Sequence, residues 1–566
     1  MNMTKYKIQT VLAAGLFLLA GCADEYQSDY QTDQPADVAL ANYVGSFDVL
    51  KAYAGSMHIG AEVPMSTLGL HNTAYSQLLT NFSDVQPTDA FTHAATVSDM
   101  GKVDSTRAVD ALAEASNAQL TVMGGALSSP LSTQTSYMSS VTADTYVPGT
   151  TKVGDFKVVD FNDMALGTKI NGSGGTPAEV VQDPNGEKGH VLHYTAAFNH
   201  CFVNVKLPEG MTLGDITEGY CDYMLLSTGW VPASVVKVVV DGTTIEGSAT
   251  NAVGQGIEKG KWGRYHFSLE GIQDKLSAEQ KAATSFQLGI GDVCSNPNYY
   301  IGAITLTGSY STVGHYEPRP LAEKQADARK ALNTYMKTVV GGYGDKVKTW
   351  ILAADYLAGQ GHQGRLLTSK DDDTHYYINE YLGDDFVVDL AKMAKSYQND
   401  AVLFYSDNDL DRDATKLANL ETMIKEWNDK GAGLAGVNAE VHLRYNAGQL
   451  SAYKEGIDNM LKALVATGLK VRLSGLDMEA VDDNGIVIPV KKLSESDIKA
   501  MADYYDYVVK QYISVVPEAQ RYGLSFSDYT SDGNHIGLWS GSYNRKATYA
   551  GVASGLQGTT AQWPTE

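Results

Sequence analysis

The chain has 566 residues, too many for one ordinary domain, and its 43% hydrophobic and 19% charged content is that of a globular protein. A formal net charge of −23 repels phosphate backbones and argues against nucleic acid as a partner, whereas a neutral polymer such as a polysaccharide meets no such barrier. The 34 tyrosines outnumber 13 phenylalanines and 6 tryptophans together, a supply of rings that suits stacking on sugars without establishing it.

The N-terminal "MNMTKYKIQTVLAAGLFLLAGCADEYQ" places Lys5 and Lys7 before an apolar run from Val11 to Ala20. That run is too short to span a bilayer, so residues 1–21 read as a cleaved export signal. Leu19-Ala20-Gly21-Cys22 resembles the lipobox of a bacterial lipoprotein. The resemblance implies cleavage before Cys22, lipidation of its thiol, and membrane attachment through the lipid alone. Residues 22–39 form an acidic tether without apolar periodicity. Acidic residues directly after the cysteine resemble the surface-export signal of Bacteroidetes lipoproteins, which implies an outer-membrane protein facing outward.

Across residues 40–135, strand-like "MHIGAEV" (57–63) and "AQLTVMGGAL" (118–127) flank an amphipathic helix over 104–118, capped by Asp104 or Ser105. "SSPLSTQTSYMSSVTADTYVPGTT" then breaks the pattern. From 150 to 312 come short strands separated by Gly, Asn and Asp, with one helical stretch near 276–283, which predicts a β-sandwich. From 318 to 562 helices and strands alternate again, with strands at 348–356, 401–407, 434–443, 470–478 and 522–529. With a further strand near 85, these units predict an α/β fold: a (β/α)8 TIM barrel interrupted after its third strand by the sandwich.

Five patches in this order resemble glycoside hydrolase family 10, the xylanases, in the form that carries an inserted carbohydrate-binding module. They are "NFSDVQPTDAFTHA" (81–94), "LTVMGGALSSP" (120–130), "WILAADY" (350–356), "VRLSGLD" (471–477) and "GLWSGSYNRKATYAGVASGL" (537–556). The family's chemistry uses two carboxylates about 5–5.5 Å apart, an acid/base and a nucleophile. The resemblance puts Gly475 at the nucleophile position on strand seven and Asp355, preceded by Ala354, at the acid/base position on strand four. Thr88, Asp89 and Thr92 replace sugar-holding Glu, Asn and Lys. Gly125 and Pro130 stand at histidine positions, and Ser129 and Ser527 at tryptophan positions. His442, Asp407, Asp477 and Trp539 are retained, a retention that folding explains; His442 beside the gap at Gly475 reads as a satisfied core histidine.

The resulting expectation is a catalytically degenerate, surface-anchored lipoprotein that binds xylan or a related plant glycan. In the insert, Trp230, Trp262, Tyr299 and Tyr300 are the ligand-binding candidates, since sugar recognition needs aromatic faces and polar side chains. Alternation in "WGRYHF" turns Trp262 toward the core, and one of the two tyrosines points inward. The competing expectation is a glycosidase with a relocated pair, Asp355 with Glu440 of strand six, although Glu440 beside His442 also reads as a structural hydrogen-bonding pair. A third reading is a structural partner in an outer-membrane glycan-uptake assembly. Cys201, Cys221 and Cys294 permit one disulfide at most, in any of three pairings, and match no zinc spacing. "SDNDLDRDA" (406–414) lacks the glycine and terminal glutamate of a calcium loop, and "SKDDDTHYY" (369–377) reads as a solvated acidic run. No phosphate loop or nucleophile elbow occurs, and no cofactor or metal is implied.

Overall fold

The computed structural model describes residues 36–171, 177–195, 201–227, 234–250, 255–292, 298–531 and 533–564. The chain divides into two units, residues 1–143 with 320–566, and residues 144–319.

In the first unit eight parallel strands close on themselves. They are β1 (His58–Val63), β2 (Asp84–Pro87), β3 (Thr121–Gly124), β4 (Thr349–Ala354), β5 (Val402–Asn408), β6 (Gly436–Tyr445), β7 (Lys470–Val481) and β8 (Arg521–Phe526). Each pairs with the next in sequence, and β8 pairs with β1, so no sheet edge is left between them. This is the (β/α)8 barrel expected, with the whole second unit inserted between β3 and β4.

The strands are buried on both faces, which is why they read as near-continuous apolar runs. Val437, Ala439, Val441, Leu443, Val471 and Leu473 join the helices in the main core. The alternate residues are polar and meet one another instead. Buried Arg472 donates to Asn438 Oδ1 at 3.0 Å, and Asn438 Nδ2 donates to Ser406 and Ser474 at 2.7 and 2.8 Å.

One expected irregular stretch is partly helical. Thr135–Thr142 forms a helix although it is rich in Ser and Thr, because Met138 is buried and Tyr137 and Val141 pack against the main core. Tertiary packing overrides weak propensity there. The helix expected over 104–118 runs from Thr106 to Asn117, and of its two proposed caps Asp104 is the one that accepts from Thr106 N.

The second unit is a sandwich. One antiparallel sheet holds Gly263–Ser268, Ile216–Ser227, Asn298–Ser311, His190–Tyr194, Ala178–Gln182 and Lys169–Ile170, with Thr151–Val159 also paired to Asn298–Ser311. The other holds Thr243–Thr250, Ser234–Val240, Ser285–Asp292 and Cys201–Lys206. Val203, Val205, Val238 and Leu288 face Tyr194, Tyr223, Tyr265 and Ile301 across its core, which also takes in Cys201 and Cys221. "SVVKVVVDGTTIEG" is a hairpin turning at Asp241-Gly242, both at positive φ (48° and 72°), as an Asp-Gly turn requires. The helical stretch near 276–283 is a single short turn, Ala278–Lys281, preceded by another at Glu270–Gln273. Cys294 lies outside the described residues.

Candidate functional site

The C-terminal ends of the barrel strands carry a cluster of carboxylates, where a barrel of this type places its chemistry. Glu62 and Asp407 are the penultimate residues of β1 and β5, Asp355 follows β4, Glu440 and His442 lie on β6, and Gly475 and Asp477 lie on β7.

Gly475 is fixed by the backbone rather than merely tolerated. Glu440 pairs with Ser474 but His442 pairs with Asp477, so β7 carries one residue more than β6 over this stretch. Gly475 sits in that bulge at φ +61°, the left-handed conformation that favours glycine. Its N–H donates to Glu62 Oε1 at 2.9 Å. A β-carbon here would lie 2.8 Å from Glu440 Cγ and 3.3 Å from His442 Nε2. The space a strand-seven side chain needs is therefore occupied by the strand-six glutamate.

Glu440 is held in that space by His442, whose Nε2 lies 3.1 Å from Glu440 Oε1 and whose Nδ1 lies 3.0 Å from both oxygens of Asp477. Hydrogen bonds to Asp477, then to Glu440, raise His442 to about 10, so it is an imidazolium at neutral pH. Both ring nitrogens are satisfied as expected, but the ring is not core: its side chain is 41% exposed. The core reading fails because the ring is held between the carboxylates of Glu440 and Asp477 rather than among apolar side chains. Burial pushes Asp477 up, but hydrogen bonds from His442, His535 and Ser527 outweigh it and hold its carboxyl well below the ordinary range. Ligand-type atoms of Asp477, Asp528 and His535 lie within 4.8 Å of one another. Asp477 already accepts from His442 and Ser527, with His535 Nδ1 3.2 Å away, so its oxygens are engaged by protein groups.

Asp355 sits at φ +63° with both oxygens engaged. Ser129 donates to Oδ2 at 2.8 Å and Asn408 Nδ2 to Oδ1 at 3.1 Å. Burial, then the negative charges of Asp407 and Glu440, push its carboxyl up to about 7. The unfolded chain would release this proton near the ordinary aspartate value, so stability should fall as pH rises from about 4 to about 7 and level off above. Asp355→Asn should abolish most of that fall, roughly 4 kcal/mol between pH 4 and 8, read from urea melts across that range.

The remaining family-like positions do structural work. Asp407 is fully buried and accepts from Tyr405, Leu357 N and Lys416. Asp413, further along the acidic "SDNDLDRDA" stretch, caps the helix Ala414–Asp429. Trp539 is buried against Phe82, Tyr529 and Tyr549. Thr92 caps the short helix His93–Thr96, Pro130 opens a turn, and Asp89 accepts from Met65 N. Thr88 is exposed at the end of β2. Gly125 has no room for a side chain, since a β-carbon would lie 2.4 Å from Ile351 O. Ser527 donates to Asp477 at 2.8 Å.

In the insert the aromatic candidates separate. Tyr299 must be withdrawn as a ligand contact: it is 1% exposed in the sandwich core, stacked on Tyr194 and Tyr223. Tyr300 faces the opposite side of the same sheet, stacked on His193 at 4.3 Å and itself buried. Trp262 is not in the core between the sheets. It precedes the strand Gly263–Ser268 and lies half-buried beside Val191, Met224 and Tyr300, donating from Nε1 to Asp183 at 3.0 Å. Trp230 and Cys22 lie outside the described residues. The structure thus brings Asp355, Glu440 and Gly475 to one mouth, and among the described aromatic candidates only Trp262 and Tyr300 to one face.

Comparison with known proteins bears on the barrel. Residues 315–554 match the model of glycosyl hydrolase family 10. An endo-beta-1,4-xylanase of Cellvibrio japonicus is 22% identical over 252 residues, covering 41% of this chain and 41% of that protein. An endo-1,4-beta-xylanase of Geobacillus stearothermophilus is 22% identical over 203 residues, covering 35% of this chain and 57% of its own length. The chain thus spans about two fifths to just over half of these relatives. Among solved structures, a family 10 protein of Paenibacillus barcinonensis superposes with a TM-score of 0.51 at 11% identity, over 92% of this chain and 100% of that one. Xylanase B of Clostridium stercorarium F9 gives 0.51 at 11%, over 90% and 99%. Likeness at such identity establishes the fold, and the site must speak for the activity.

Proposed function

We propose that this protein binds a xylan-like polysaccharide on a xylanase-like scaffold without cleaving it by the family's double displacement. The observation that carries this reading is the closed nucleophile position: Gly475 is in a left-handed bulge and Glu440 fills the space its side chain would take. No glycosyl ester can form on a residue without a side chain. The acid/base position supports the same reading, because Asp355 is shorter than glutamate and both its oxygens are tied to Ser129 and Asn408. The matches to xylanases support a xylan-like ligand. Calorimetric titration of the full chain with soluble xylan tests the proposal, binding without turnover being the expected result.

A second reading has one specific observation in its favour. Asp355, raised to about 7, is half-protonated near neutrality, as a general acid should be, while Glu440 occupies the vacated strand-seven space. A relocated pair would make the protein a divergent glycosidase. Sustained release of reducing ends that disappears in Glu440→Gln would establish it.

The sequence around Cys22 supports anchoring as an outer-membrane lipoprotein that presents the barrel and sandwich to extracellular glycan, in the setting of a glycan-uptake assembly. Cys22→Ala should move the protein from the membrane to the soluble fraction; unchanged partitioning into detergent would remove this part of the proposal.

A further inference from the structure

The face of the insert's four-stranded sheet that points away from the sandwich core holds features that none of the expected aromatic residues supplies. The register brings Phe202 opposite Gly289, and Gly289 opposite Lys237, which faces Glu246. One step along, Asn204 is opposite Gln287, Gln287 opposite Val239, and Val239 opposite Thr244. These residues share a face, since Cys201, Val203 and Val205 between them are buried inside the sandwich.

Gly289 leaves room for an aromatic ring there. A β-carbon on Gly289 would lie 2.7 Å from Phe202 Cε1 and 2.9 Å from Cδ1, so the ring takes the space a side chain would fill, and Phe202 is only half-buried. Beside it Gln287 Nε2 donates to Asn204 Oδ1 at 3.0 Å, which leaves the second N–H of Gln287 and the amide group of Asn204 for another partner. Two adjoining hollows, of about 560 and 710 Å³, both include Asn204 and Gln287 in their walls. The first also takes in Phe202 and Lys169, the second Lys206. Their combined run across the strands is open rather than a closed pocket, the shape for a stretch of chain.

Charge narrows the occupant. Lys237 is neutralised by Glu246, whereas Lys169 and Lys206 make no ion pair among the described residues, although Glu179 stands opposite Lys169 across the strands and Asp241 shares the wall of the second hollow. Both are exposed at the groove, on a chain whose net charge is −23. A ring for a pyranose face, amides for hydroxyls, and two ammonium groups for carboxylates define one class of ligand. We propose that this groove binds a glycan chain bearing uronic-acid branches, with Phe202 under a backbone sugar, Asn204 and Gln287 on its hydroxyls, and Lys169 and Lys206 on the branch carboxylates.

This rests on the glycan-binding reading above and assigns it to a place and a ligand class. The test is calorimetry of the full chain at low salt with xylopentaose and with the same pentaose carrying one glucuronic-acid branch. The branched sugar should bind about threefold tighter or more, and a Lys169→Gln/Lys206→Gln double variant should abolish that difference. Phe202→Leu, which keeps apolar cover over Gly289 but loses the flat ring, should weaken both sugars about tenfold. Gln287→Ala, outside the core, provides the same reading if Phe202→Leu fails to fold. Wild-type binding that both groove variants leave unchanged overturns this site while the glycan-binding function stands. Equal affinity for the two sugars overturns the uronic-acid assignment. Wild-type chain that binds neither sugar overturns both proposals. Concentration-dependent self-association removed by Phe202→Leu, with no effect on sugar, would make the face a contact between copies and also overturn it.

Discussion

Gly475→Glu is expected to yield a chain about 2–5 kcal/mol less stable than the wild type and still without xylanase activity. The left-handed φ of +61° costs any residue with a β-carbon about 1–2 kcal/mol. The contact with Glu440 Cγ, 2.8 Å from the new β-carbon, adds an overpacking penalty of about 1–3 kcal/mol because Glu440 is tied to His442. Reinstating the carboxylate also leaves Asp355 short and held by Ser129 and Asn408, so the two groups that must act together are not both restored. Urea denaturation and a reducing-end assay on the same preparation check both halves. A revertant as stable as the wild type that turns over xylan would show that the bulge adapts and that the rest of the site remains competent.

Removing the buried carboxylate of Asp407 is expected to cost more, about 3–5 kcal/mol for Asp407→Ala. Asp407 is fully buried, and its partner Lys416 has a side chain only 10% exposed, 2.6 Å away. Burial alone raises the Asp407 carboxyl, and Lys416 is the largest influence opposing it. Alanine strands the ammonium with Asn408 Oδ1 as its remaining close partner, and frees the hydroxyl of Tyr405 and the N–H of Leu357. An Asp407→Ala/Lys416→Met double variant should recover part of the loss, because it removes the stranded charge. Thermal and urea melts of the three proteins decide it. A single variant within about 1 kcal/mol of wild type would mean that Lys416 reaches water, and that this pair does not anchor β5 to the following helix.

The barrel was legible because its strands, buried on both faces, stand out as apolar runs, and because "LSGLD" and "AADY" fall at strand ends where the family patches lie in order. That Gly475 belongs to a bulge was not legible: it depends on the shift of register between β6 and β7, which no single strand's sequence records. The same holds for Glu440, whose entry into the vacated space is a contact between neighbouring strands. In the insert, "NPNYYIG" specified two adjacent tyrosines but not which faces the core, since a one-residue shift exchanges them; the structure turns Tyr299 inward. The Phe202–Gly289 pair is not legible in the sequence because a phenylalanine in an apolar strand looks like core, and only the pairing places the glycine beside it. The buried Arg472–Asn438 network inside the barrel was hidden likewise, as polar residues in a strand read as solvent-facing until the sheet closes around them.

A protein that holds a xylan-like glycan and leaves it intact should show heat of binding and no heat of hydrolysis. Isothermal titration of soluble glucuronoxylan into the full chain tests this in one trace, because binding and turnover give different heats. The expected result is injection peaks that saturate and return to baseline, with no reducing ends in the recovered mixture. A sustained displacement of the baseline after each injection, lost in Glu440→Gln, would contradict it.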